Sequence, residues 1–279
     1  GYSLEALVNA FEVGSGLPPY FKDKDSLGQL RPITYRDIFH MNSRSLLKSF
    51  PIGLLRRSML SGGIESLIKE HFKVNGLFTT KGLEKYLREY AFSHNQFSDL
   101  GAQLFIIGTQ LNHTRKVIFG NFQEKYKSKT HADVPYAKIS EAVAASTSLP
   151  PVFAPYGMVN DEGKEIFFFD GEIRDTLSTH VAADHGCDLV IASYSVQPYH
   201  YSEEIGSLHR FGIPVILNQA LYQVIQQKID RSIRHTNDIK TIYHTVDTYF
   251  KTNNLPEELR EQLLSQIKDR VNFKPEVDY

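Results

Sequence analysis

Phe167-Phe168-Phe169-Asp170-Gly171-Glu172 carries three consecutive aromatic strand-formers straight into an Asp-Gly turn. Arg174-Asp175-Thr176-Leu177 follows, opening a helix expected to end at Gly186. An apolar run bounded by turn residues reads as a strand covered by the rest of the domain. Its exit places the carboxylate of Asp170 at the mouth of that strand, where an α/β sheet presents groups for chemistry.

Working outward, Gly186-Cys187-Asp188-Leu189-Val190-Ile191-Ala192-Ser193 supplies a further apolar run, with a strand expected over Leu189 to Ser195. Strand, helix over Leu177 to His185, and strand make a crossover unit, expected to be parallel and right-handed. Upstream, Gln103 to Thr109 and Lys116 to Gly120 read as neighbouring strands, and a helix is expected near Lys138 to Ser146. Thr79 or Thr80 is placed to cap a helix reaching about Phe92, since Leu83, Tyr86, Leu87 and Tyr90 recur at helical spacing. Leu4, Leu7, Val8 and Phe11 share one face of an N-terminal helix, and the proline- and charge-rich stretch from Leu17 to Asp37 reads as a loop. Helical character returns over Ser43 to Leu60 and Glu65 to Phe72. It dominates the C-terminal part, with helices expected at Ile213 to His235, Asp238 to Thr252 and Pro256 to Val271.

Composition narrows the classes. At 279 residues, 41% hydrophobic and 23% charged, the chain can bury a large core, which argues against disorder. A formal net charge of -1 creates no global field for nucleic acid, and basic, aromatic-interleaved motifs are absent. The single cysteine, Cys187, excludes an internal disulfide framework. No apolar run reaches the roughly 18 residues of a spanning helix, so a soluble or peripheral protein is expected, in a compartment the sequence leaves open.

The stretch Ala144-Ala145-Ser146-Thr147-Ser148-Leu149-Pro150-Pro151-Val152-Phe153-Ala154-Pro155 completes a pattern with the aspartate turn and the Gly186 to Ser193 segment. Together they resemble the patatin-like phospholipases, a family of lipid acyl hydrolases. The likeness covers roughly residues 76 to 200. It implies an α/β fold of three layers, with a mostly parallel central sheet, helices on both faces and a helical C-terminal extension. Residues 1–200 would form the acyl hydrolase domain, with 201–279 a helical region packed on it. The resemblance also implies a serine nucleophile in a Gly-x-Ser-x-Gly elbow and a glycine-rich oxyanion loop near the N-terminus. An aspartate in an Asp-Gly-Gly or Asp-Gly-Ala turn completes its set; Asp170-Gly171 matches that turn, and Glu172 replaces its third small residue.

The first strand and the glycine-rich loop that the resemblance implies are where this sequence departs most. No strand and glycine-rich loop precede Ser3, so the N-terminal part of the domain is expected to lie outside Gly1 to Tyr279. Two registers fit Gly1-Tyr2-Ser3-Leu4-Glu5. In one, Ser3 is the nucleophile of an altered elbow, with Glu5 where glycine belongs. In the other, Ser3 is an N-cap for the helix from Leu4 to Val13, and the elbow lies upstream.

For a serine-aspartate dyad, Asp170 would take the hydroxyl proton as the ester is attacked, and a dry pocket would raise its basicity from the roughly 3.9 of free aspartate. An acyl-enzyme would form and water would release the fatty acid. The structural alternative is that Asp170 only closes a turn or caps the helix after it. Ser146 to Pro155 would shape an acyl-pocket wall or simply form a packed corner, and Glu172 and Arg174 would either pair near the site or face solvent as turn charges, with no catalytic role. His180, Asp184 and His185 do not form a compact ligand motif, and a Ser-His-Asp triad lacks its Gly-x-Ser-x-Gly sequence. No metal or organic cofactor is expected.

Arg44 to Leu60 alternates Arg and Lys with bulky apolar residues and contains no acid, which suits an anionic membrane interface, a lid over a lipid pocket, or a pair of core helices broken at Pro51 to Gly53. The expected function is hydrolysis of phospholipid, lysophospholipid or another fatty-acyl ester, with peripheral membrane contact and no nucleic acid. The competing function is a non-catalytic lipid- or protein-binding domain on the same fold, suggested by Glu5, Glu172 and the missing oxyanion loop.

Overall fold

A computed structural model describes residues 2–14, 16, 30–43, 75–113, 115–122, 131–195 and 197–271. The basic-apolar segment 44–60, the helix expected at 65–72 and most of the loop at 17–37 lie outside them. The chain divides into two compact units, Gly1–Arg174 and Asp175–Tyr279.

The first unit is built on a five-stranded sheet of order β5-β4-β3-β7-β6. Its strands are β3 (Ile106–Gln110), β4 (Lys116–Phe119), β5 (His131–Val134), β6 (Tyr156–Val159) and β7 (Glu165–Asp170). β1 (His40–Met41) and β2 (Phe78–Thr79) form a separate antiparallel pair. A mixed sheet with helices and a helical C-terminal region is the expected α/β, patatin-like class. In detail, β4 and β5 pair in parallel, while β3 pairs antiparallel with both β4 and β7, and β6 with β7. The β6–β7 hairpin was not anticipated. Its turn closes because Asn160 Oδ1 accepts the N–H groups of Glu162 and Lys164, with Gly163 at φ 77°.

Before the sheet come helices α1 (Leu4–Gly14), α2 (Tyr35–Ile38) and α3 (Lys81–Tyr86), the last continuing as a π-helical turn over Leu87–Ala91. Ala10 of α1 is buried with Leu30, Ile33 and Tyr86 in a small core. Helix α4 (Ile139–Ser146) lies against β3, β6 and β7. It contributes the buried Ala142 and Ala145 to the main core, where they meet Val117, Phe119, Met158 and Phe168. The rings of Phe119 and Phe168 meet edge to face at 5.4 Å, a geometry favoured by the aromatic quadrupole. Phe168 points into this core, so strand alternation assigns Phe167 and Phe169 to the other face of β7.

The second unit holds α5 (Thr179–Asp184), α6 (Ile213–Thr252) and α7 (Glu257–Val271), with α7 packed on α6. Two expectations change here. The strand expected at Leu189 to Ser195 is not formed: Leu189 makes an isolated bridge, and no ladder continues beyond it among the described residues. Strand propensity makes a strand only where a partner supplies hydrogen bonds, and here Val190 is buried while Leu189 and Ile191 are 60% and 84% exposed. Among the described residues, the parallel crossover through Leu177 to His185 is therefore not formed either. The helices expected at Ile213 to His235 and Asp238 to Thr252 are one helix of 40 residues. Between His235 and Asp238 no glycine or proline interrupts the backbone, and Thr241 Oγ1 donates to the Asn237 carbonyl one turn earlier. Among the described residues, no helix is long and apolar enough to cross a membrane.

Candidate active site

Asp170 closes β7 and begins a tight helical turn over Gly171–Ile173. Its Oδ1 accepts the Glu172 N–H at 2.9 Å, while Oδ2 has no hydrogen-bond partner among the described residues. The main chain is held from both sides. Asp170 N–H donates to the Ser148 carbonyl at 3.1 Å, and the Thr109 hydroxyl donates to the Asp170 carbonyl at 3.2 Å. Gly171 is required by close approach, since a Cβ there would stand 2.6 Å from the Ile107 carbonyl oxygen. The Asp-Gly turn is thus pressed against β3, and any side chain at position 171 would push it away.

Electrostatics follow from this placement. Burial pushes the Asp170 carboxyl up to about 6; the Glu172 N–H opposes the rise and the Glu172 carboxylate adds to it. A carboxylate of that basicity, with one oxygen unengaged among the described residues, is suited to accept a proton near neutral pH.

Ser3 stands immediately before α1 on the exposed surface. Its Oγ accepts the Ala6 N–H at 3.2 Å and its carbonyl accepts the Leu7 N–H at 3.2 Å, the contacts of an N-cap. No hydrogen bond joins Ser3 to Asp170 among the described residues. Ser146 to Pro155 leads from the end of α4 to an aromatic corner. There Phe153 bridges Phe78 and stacks on Phe39 at 5.5 Å, and Ala154 N–H donates to the Phe78 carbonyl at 2.8 Å. The segment therefore serves both as a packed corner and, through the Ser148 carbonyl, as a support for Asp170. A cavity of about 430 Å³ is lined by His40, Lys81, Glu165 and Phe167, among others, and includes neither Ser3 nor Asp170.

In the second unit, His180 Nε2 lies 3.4 Å from Asp175 Oδ2, and His185 Nδ1 is 2.7 Å from the Val181 carbonyl of its own helix. Among the described residues, no group of three or more His, Cys, Asp and Glu side chains is arranged to hold a metal ion.

The family model of the patatin-like phospholipases matches residues 40–183, just over half of the chain. This protein belongs to the patatin-like phospholipase family. The match takes in the aspartate turn, α4 and the Ser146 to Pro155 segment, and it begins downstream of Ser3. A search of curated proteins found no match. Lipid acyl hydrolysis is the activity that membership in this patatin-like family suggests, with lipid esters as the substrate class.

What sequence reading missed lies around the carboxylate: Thr109 and Ser148 hold the Asp170 main chain. Ser148 sits inside the quoted signature, but as an ordinary hydroxyl residue it carries no spacing signal of its own.

Proposed function

We propose that the protein hydrolyses phospholipid or lysophospholipid acyl esters through a serine-aspartate dyad in which Asp170 is the base. The observation carrying this reading is the carboxylate at the end of β7, raised to about 6 by burial, with Oδ2 unengaged among the described residues. Asp170 takes the serine proton as the serine oxygen attacks the ester carbonyl. As the tetrahedral intermediate collapses, Asp170 returns that proton to the leaving alcohol, and an acyl-serine remains. The regenerated carboxylate takes a proton from water as the water attacks the acyl-serine, and gives it to the serine oxygen as the fatty acid leaves. None of these steps calls for a metal or an organic cofactor.

Within this chain Ser3 is the candidate nucleophile. A serine at a helix N-terminus benefits from amide dipoles that stabilise developing negative charge, and Ser3 Oγ already accepts the Ala6 N–H. The same contact favours a second reading, in which Ser3 is only a cap and the nucleophile is another serine, or the domain binds lipid without turning it over.

Labelling the natural full-length protein with a serine-directed fluorophosphonate and mapping the modified peptide separates these cases. An adduct on Ser3 supports the assignment, an adduct on another serine makes Ser3 a cap, and no adduct under conditions that label a control esterase overturns the hydrolase reading.

A further inference from the structure

Close to Asp170 lie two hydroxyls removed from water, those of Thr80 and Ser148, whose residues are 1% and 0% exposed. Buried hydroxyls are costly unless bonded, and here the bonding has a direction. Ser148 Oγ lies 2.7 Å from the Ala144 carbonyl oxygen, which can only accept, so the Ser148 proton is committed there. Thr80 Oγ1, 2.9 Å from Ser148 Oγ, is therefore the donor of that pair. Thr80 immediately precedes α3, yet its side chain makes no capping hydrogen bond. Its hydroxyl is directed instead across 68 positions of sequence to Ser148.

This relay fixes the rotamer of Ser148 and with it the chain leaving α4, at the residue whose carbonyl receives the Asp170 N–H. An apolar pair at the two positions would fill the same space without setting a direction. We propose that Thr80 and Ser148 are positioning residues, whose buried hydroxyl pair sets the main chain of Asp170 and so the aim of its carboxylate. The inference rests on Asp170 acting as the base in the proposed function.

The test uses the full-length protein with Thr80→Val, Thr80→Ser, Ser148→Ala and the Val/Ala double variant. Carbon-13 labelled aspartate allows the Asp170 carboxyl to be titrated by NMR, its resonance identified by its loss in Asp170→Asn. Kinetics on a p-nitrophenyl ester run in parallel. Loosening the end of β7 admits water, so Thr80→Val and Ser148→Ala should lower the Asp170 midpoint by about half a unit or more. They should also reduce kcat about tenfold with KM little changed, because aim rather than binding is lost. The double variant should be no worse than the poorer single one, and Thr80→Ser should restore both readouts.

An Asp170 titration in the Val and Ala variants superimposable on that of the parent protein would overturn the inference, as would a Thr80→Ser variant as impaired as Thr80→Val. Should Ser148→Ala fail to fold, the Thr80 pair decides alone. Full turnover by Asp170→Asn would remove the hydrolase reading, yet the titrations would still show whether the hydroxyl pair sets the carboxylate.

Discussion

The main-chain N–H of Asp170 donates to the carbonyl of Ser148 at 3.1 Å, tying the end of β7 to the turn that follows α4. Two segments of the family match, the aspartate turn and the Ser146 to Pro155 stretch, therefore act on the same residue. The second supplies main-chain support for the first. Burial of the carboxylate follows from this attachment, because the strand end cannot swing out to solvent without breaking it.

Holding a charge there has an energetic cost with a definite pH dependence. The folded carboxyl titrates at about 6, above its ordinary 3.8, so the native state binds the proton more tightly than the unfolded chain. The penalty is present above pH 6 and is relieved as the pH falls towards 3.8. Two pH units correspond to about 3 kcal/mol at most, and the partial exposure of Asp170 reduces this. Asp170→Asn, which keeps an acceptor for the Glu172 N–H, should stabilise the protein by about 1–2 kcal/mol at pH 8 and by nothing at pH 4. Urea unfolding at the two pH values measures the difference.

Gly171 and Gly101 should respond oppositely to alanine. A Cβ at Gly171 meets the Ile107 carbonyl at 2.6 Å, whereas one at Gly101 meets nothing within 4 Å. Gly171→Ala should cost about 1–3 kcal/mol by forcing the turn off β3, and Gly101→Ala should stay within about 0.5 kcal/mol of the parent. Thermal unfolding of both variants checks the contrast.

Asp37 organises the short helix α2. Its carboxylate accepts the Thr34 N–H and hydroxyl at 2.8 Å each and pairs with Arg31, whose guanidinium lies over the rings of Tyr86 and Tyr90. Burial alone would raise its pKa, but the bonds from Thr34 and Arg31 outweigh it and hold the carboxyl below its ordinary value. Asp37→Ala should cost about 1 kcal/mol, as loss of a helix-start acceptor does. A depressed carboxyl loses its contribution as the pH falls through its folded value, so the difference between variant and parent should shrink below about pH 4.

Arg56 and Arg57 stand in the basic-apolar segment 44–60. If that segment meets an anionic membrane, the double replacement Arg56→Glu and Arg57→Glu should weaken binding to phosphatidylserine vesicles by about tenfold or more, since each basic residue near such a surface contributes about 1 kcal/mol. Binding equal to that of the parent in a vesicle sedimentation assay would remove the segment from the membrane-contact account.

Legibility in the sequence tracked how local each signal was. Phe167 to Phe169 and the Asp-Gly turn were readable because strand-formers and turn residues stand next to each other, and the helix near Lys138 to Ser146 was readable from its own period. Leu189 to Ser195 carried the same apolar signal, but a strand also needs a partner edge, which no local pattern contains. The β6–β7 hairpin was overlooked although Asn160-Asp161-Glu162-Gly163 is a turn sequence, because Tyr156 to Val159 is too short to show a period. At the site, Asp170 was legible from its turn and Ser3 as a helix start. Thr80, Thr109 and Ser148 were not, since three common hydroxyl residues from separate segments acquire meaning only when folding brings them to the end of one strand.

Whether Asp170 is the base of an acyl-ester hydrolase is decided by p-nitrophenyl ester turnover, followed from pH 4.5 to 8 for the full-length protein and for Asp170→Asn. If Asp170 is the base, kcat/KM of the parent should rise with pH through a midpoint near 6. The variant should be reduced at least about a hundredfold, as expected on losing a general base, and that midpoint should vanish. Turnover by Asp170→Asn at the parent's rate, with the same pH dependence, would contradict it.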